Sequence, residues 1–332
     1  MHRVFRVALA TSLALTSCGG DSDPKALPTP AAPAPGAPAP APPPAQAAEP
    51  AGALPAMKVT LLEAGTAPQR QLRLHLKAGS KGTYVLTQTQ KAISGTAGGP
   101  VVTDQKMLML YDAEVTSVGT DGLAAVSMSV HDLKVEFVGL PNPDPATFAG
   151  LRLGFKGRIA PGGTWTGAKF TVDADPSGKM RTLMEQVLGS MEQSIQQMSV
   201  PLPEEAVGVG ARWTVEGAVT VMGMSIGTKS EVRVESIAGD VVRLVTSTHG
   251  SVADQTMSMP TADAAAPMKI DVKEMTVESE GTSTMDLGQV LPVALQVTSK
   301  TETRLQVKAT ASTPATDVES KGESVTTIER KE

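Results

Sequence analysis

Arg70-Gln71-Leu72-Arg73-Leu74-His75-Leu76-Lys77 sets three leucines on one side of an extended chain and polar or charged groups on the other. That is the period-2 signature of a half-buried strand. The alternation recurs across Thr83 to Ala92, Met107 to Val118, Ala125 to Val138 and Glu231 to Ile237, and again across Val241 to Thr248, Met268 to Glu278 and Leu295 to Val307. Gly119-Thr120-Asp121-Gly122 and Gly239-Asp240 fall between such runs and have the composition of hairpin turns. Long alternating strands joined by tight turns predict an antiparallel meander with one face solvated and the other covered. The expected fold is mainly β, a curved antiparallel sheet or half-barrel.

One segment has a different period. From Lys179 to Met198 the apolar positions Met180, Leu183, Met184 and Val187, followed by Leu188, Met191, Ile195 and Met198, keep the i, i+3, i+4, i+7 spacing of an amphipathic helix. Pro201 and Pro203 prevent it from running on. A helix at 179–198 packed on the sheet is expected either to fill the core with its methionine stripe or to act as a lid over a lipid-sized cavity. Gly162-Gly163-Thr164-Trp165-Thr166 before the helix is echoed by Gly208-Val209-Gly210-Ala211-Arg212-Trp213-Thr214 after it. The echo predicts two similar β halves, 57–175 and 202–332, around the helix.

The pattern Leu72, Leu74, Leu76, Gly79 and Tyr84 near the start, with Pro203, Val207, Gly210 and Trp213 after the helix, resembles a family of uncharacterised bacterial lipoproteins. The resemblance implies the architecture over most of 57–332 and implies no chemistry. A second resemblance concerns the amino-terminal end. Arg3 and Arg6 precede an apolar run from Val7 to Leu15, the order of a secretory signal, in a run too short to span a bilayer. The run closes on Leu15-Thr16-Ser17-Cys18, with the chain's single cysteine. This resembles the bacterial lipobox, which implies a signal peptide over 1–17, cleavage before Cys18 and acylation of its thiol and new amino terminus. Two or three acyl chains on one residue give lasting membrane attachment where one gives only marginal binding. Gly19 after the cysteine, in the sorting pattern this resembles, implies delivery to the outer membrane. The stretch 18–56 reads as the lipidated cysteine and a linker, since 12 of the 25 prolines fall between Pro24 and Pro55. Such a stretch favours extended polyproline II at about 3.1 Å per residue. The region 57–332 reads as the β-rich domain.

Composition narrows the function. The chain has 332 residues, 41% of them hydrophobic, enough for a sizeable core. Its formal charge is −5; Arg3 and Arg6 are two of the 29 basic residues, so the chain from Cys18 carries 27 against 34 acidic residues, a net of −7. Nucleic acid is not an expected partner, because phosphate binding needs clustered Lys and Arg. His75, His131 and His249 lie far apart, with no zinc-hydrolase spacing, and no Gly-x-Ser-x-Gly elbow occurs. Asp173, Asp175 and Ser177 before Gly178 resemble the first half of a calcium loop, but Met184 stands where the bidentate glutamate belongs; the same residues serve as a turn and cap for the helix. The pairs Met107/Met109, Met222/Met224 and Met257/Met259 offer soft Cu(I) ligands or, equally, a methionine-rich core. No cofactor and no enzymatic activity are expected. The function expected is an envelope lipoprotein with the membrane as partner through its lipid, binding a lipid or apolar ligand between sheet and helix. The alternatives are an assembly or structural role through the sheet, and an enzyme without recognisable motifs.

Overall fold

The computed structural model describes residues 57–96, 99–138, 153–172, 200–221, 224–259, 268–308 and 315–331. Leu15 to Cys18, the proline-rich stretch up to residue 56, the expected helix 179–198 and the calcium candidates Asp173, Asp175 and Ser177 lie outside these residues. The described chain is strand throughout its regular structure. β1 (Lys58–Glu63) and β2 (Thr66–Gln71) are short; β3 (Lys81–Thr96), β4 (Gly99–Val118) and β5 (Ala124–Val138) are long; β6 (Leu153–Ile159) and β7 (Trp165–Val172) close the first half. β8 (Ala206–Val209) and β9 (Arg212–Val221) open the second, followed by β10 (Met224–Ala238), β11 (Val241–Met259), β12 (Met268–Asp286), β13 (Ala294–Val307) and β14 (Thr316–Lys331). β4 runs for 20 residues, roughly 65 Å at the usual rise.

Twelve strands form one sheet in the order β1-β9-β10-β11-β12-β13-β14-β3-β4-β5-β6-β7, and β2 pairs with β8 in a separate ribbon. Every pairing is antiparallel. The sheet is large and is not closed into a barrel: β1 and β7 are its edges. Two meanders, β3 to β7 and β9 to β14, sit side by side through the β14–β3 pairing, Ile328 opposite Leu86 and Ser324 opposite Gln90. The first strand belongs spatially to the second meander, with Val59 opposite Val215 and Leu61 opposite Trp213. The alternating runs of β3, β4, β5, β10, β11, β12 and β13 are strands as expected, and Gly239-Asp240 is the two-residue turn between β10 and β11. Gly122, at φ +78, takes the left-handed position of the β4–β5 turn, where Gly119 N donates to Leu123 O.

Leu72 to Lys77 departs from expectation. Only Arg70 and Gln71 are strand, at the end of β2; the three leucines alternate along an irregular extended segment. Its backbone bonds go to loops: Leu74 N donates to Pro161 O at 2.8 Å and His75 N to Leu287 O at 2.9 Å. The β6–β7 turn and the β12–β13 loop are thus tied by one crossing strap, and Leu72 and Leu74 are buried beneath it. The alternation does mark one buried side, but the backbone of this segment bonds to loops at the ends of the sheet rather than within a ladder.

A second strap runs through 200–203. Leu202 N donates to Gly162 O at 2.9 Å and Trp213 Nε1 donates to Pro201 O at 3.0 Å, so adjacent residues touch both β9 and the turn leading into β7. β9 and β7 stand ten places apart in the sheet; laid flat, ten spacings of about 4.8 Å would separate them by roughly 48 Å. The sheet at this end is therefore bent far from flat. Both tryptophans follow a glycine at positive φ, Gly163 and Gly210, and both are buried there, Trp165 edge-on to Phe155 with centroids 5.4 Å apart. The main apolar cluster fills this end with Leu72, Trp213, Leu244, Tyr84, Phe155 and Leu287 among its members.

Candidate functional site

The two faces of the large sheet differ in chemistry along their whole width. One carries the apolar cluster and is called the core face. Side chains alternate in register, so its members follow from the pairing: Val232 opposite Thr246, Ser279 opposite Ser299, Gly322 opposite Ala92, Met107 opposite Val135. Among the described strands, Arg330 at the end of β14 is the one ionisable Asp, Glu, Lys, Arg or His in register with that face. The charges lie opposite, where they pair in exposed bridges such as Arg304–Glu274 at 3.1 Å, Lys321–Glu302 at 2.8 Å and Lys229–Glu216 at 3.0 Å. Exposed pairs of this kind add little to stability.

Along the strands the core face has three zones. The turn end holds the main apolar cluster. The opposite end holds a smaller one, of Ile226, Val252, Ile270, Val272, Leu305 and Val318 with Met275 and Val307. Between them lies a belt of hydroxyl, amide and glycine positions: Ser279 and Gly281 on β12, Ser299 and Thr301 on β13, Ser320, Gly322 and Ser324 on β14, Gln88 and Gln90 on β3. These residues are half-buried. Hydroxyls pair across strands, Ser230 with Thr248 at 2.8 Å, Ser279 to Ser299 at 2.8 Å and Ser94 to Ser320 at 3.2 Å. Above Gly322 a depression of about 40 Å³ opens, lined by Gln90, Ala92, Thr301, Thr303, Ser320 and Ser324, and by Glu323, whose register position belongs to the opposite face. Two buried polar atoms of the same face have no hydrogen-bond partner, Ser283 Oγ and Gln105 Oε1.

This belt was missed by sequence reading, although its signal was present. Ser299-Lys300-Thr301-Glu302-Thr303-Arg304 and Ser320-Lys321-Gly322-Glu323-Ser324 alternate small hydroxyl or glycine with charge. A pattern counted only for apolar residues passes over them.

The ionisable candidates remain dispersed. His75 Nε2 lies 3.1 Å from Asp240 Oδ2, His131 Nε2 lies 2.7 Å from Asp112 Oδ2, and His249 is exposed. Among the described residues no three His, Cys, Asp or Glu side chains converge as a metal site. Met107 and Met109 lie on the core face against the main cluster. Burial pushes the hydroxyls of Tyr84 and Tyr111 above the usual tyrosine value, so the stacked pair, 5.7 Å between centroids, stays neutral. The Thr83 hydroxyl, donating to Asp112 at 2.7 Å, and then the contact with His131 hold the Asp112 carboxyl below its ordinary value. A depressed carboxyl contributes stability above the unfolded value of about 3.9 and loses it as pH falls through the folded one. Asp112→Asn is therefore expected to lower stability at pH 6 by less than about 1 kcal/mol, the group being half exposed, with the difference from the parent gone in strong acid. Urea midpoints at the two pH values check this; an equal difference at both would show that the carboxylate's charge is not what matters.

No protein-family model matches the chain, and no curated protein matches it. Among solved structures, the toluene transporter TodX of P. putida aligns over 76% of this chain and 90% of its own at 8% identity, with a TM-score of 0.13, which carries no argument about either fold or function.

Proposed function

We propose that this chain is a lipid-anchored protein of the bacterial envelope, held through Cys18 at the outer membrane, which binds an apolar ligand or lipid and catalyses no reaction. In this reading the sheet is a curved trough or half-barrel whose core face receives the ligand. The amphipathic segment 179–198 lies over it with Met180, Leu183, Met184 and Val187, then Leu188, Met191 and Ile195, turned inward. The observation that supports it most is the width of the core face, which carries no charge among the described strands short of Arg330 at its end. A protein that needed this face only as a core would fill its middle with large apolar side chains; here the middle is small, polar and half-buried. β1 and β7, the edges of the sheet among the described residues, favour a second reading, an assembly role by strand addition.

The reading is tested by exporting the full chain with Cys18→Ser, extracting the purified protein with organic solvent and examining it by native mass spectrometry. A co-purifying apolar molecule is expected. A folded protein that yields none overturns ligand binding. The same variant tests the anchor: the parent chain partitions with membranes, whereas Cys18→Ser remains in the soluble or unprocessed fraction. Membrane partition of the cleaved variant would overturn lipidation at Cys18.

A further inference from the structure

The core face constrains what kind of apolar molecule it accepts. We propose that it selects an uncharged acyl-ester lipid bearing a free hydroxyl, a partial acylglycerol in chemical class, and rejects phospholipids; this rests on the ligand-binding reading above.

Three observations lead there. First, a phosphate headgroup brought onto this face would meet no counter-charge in the described strands short of Arg330 at its end, and a buried ion without a partner is costly. Second, the belt lies between two apolar clusters, so a molecule with a polar linkage between hydrocarbon chains matches the order apolar, polar, apolar along the strands. Third, the hydroxyl pairs of this face keep donors to spare. In each hydroxyl pair, such as Ser279 with Ser299, one hydrogen makes the contact and the other remains to donate. Donors of this kind suit the carbonyl oxygens of esters. Gln105 Oε1, opposite Gln90 of the depression, is a buried acceptor without a donor and suits a free hydroxyl. Ser283 Oγ is a further orphan on a residue 4% exposed, about 20 Å along β12 from Val277, the register partner of Thr301. Such groups are costly to leave unpaired.

The test uses the full chain with Cys18→Ser, incubated with nonionic micelles holding equal amounts of dioleoylglycerol, dioleoylphosphatidylglycerol and squalene, then repurified and extracted. Dioleoylglycerol is expected to exceed each of the others by about tenfold per protein, given the desolvation costs involved. Thr301→Val keeps the volume and removes a donor; it is expected to cut dioleoylglycerol uptake about fivefold, the ratio one ordinary hydrogen bond carries, and to leave squalene unchanged. Gly322→Leu puts a side chain into the depression, an added Cβ meeting nothing nearer than Lys91 O at 3.8 Å, and is expected to reduce dioleoylglycerol further. Equal uptake of squalene would leave an apolar site but overturn the headgroup class. Equal uptake of the phosphatidylglycerol would overturn charge exclusion. No uptake of any probe by folded protein would overturn both this inference and the ligand-binding reading.

Discussion

Trp213→Ala is expected to lower the unfolding free energy by about 3–5 kcal/mol, the range for removing a buried tryptophan side chain. The indole is 0% exposed and stands among the main apolar cluster, opposite Leu61 and Val232 in register. It also donates to Pro201 O, and Leu202 beside it is bonded to Gly162, so the ring holds the strap that joins the two ends of the sheet order. Removing it leaves a cavity and an unpaired carbonyl together. Trp213→Phe retains most of the volume and loses the donor, so its cost is expected near the 1–3 kcal/mol of an unsatisfied buried acceptor. Denaturant titration of both variants checks the order; a loss under about 1 kcal/mol for the alanine variant would show that the site relaxes around the gap.

Leu72→Ala is expected to cost about 2–5 kcal/mol, as for other large-to-small changes in a core, although the residue lies in no strand. Its side chain is 0% exposed under the strap bonded to Pro161 and Leu287. Leu62→Ala, in the edge strand β1 and 50% exposed, is expected to stay within about 0.5 kcal/mol of the parent. The contrast separates burial from secondary structure. If the strand residue proved the more costly of the two, the strap would not be part of the core.

These variants mark where the sequence was legible. Alternation at Thr83–Ala92 or Leu295–Val307 reported a sheet with one buried face, and the turn residues at Gly239-Asp240 reported how neighbours join, because both are local consequences of the pleat and of backbone sterics. At Leu72 to Lys77 the same alternation marked a crossing strap. A period of two states only that alternate side chains are buried; whether the intervening amides bond to a neighbouring strand or to two distant loops depends on what the rest of the chain brings alongside. The last strand, Thr316–Lys331, carries more Ser, Thr and Glu than apolar residues and was not recognised, yet it joins the two meanders at β3.

By itself, then, the sequence determined a mainly β chain with long antiparallel strands and a core on one face, since these follow from patterns within ten or twenty residues. Only the tertiary structure decided that β1 pairs with β9, that β14 joins β3, and that two straps draw the turns of one end together, because both strand pairings span more than a hundred residues, the strap bonds run to loops elsewhere in the chain, and no local pattern encodes a partner. The uncharged belt belongs to the same class. Its hydroxyls alternate plainly in each strand, but a continuous face exists only once the register sets Ser279 beside Ser299 and Gly322 beside Ala92.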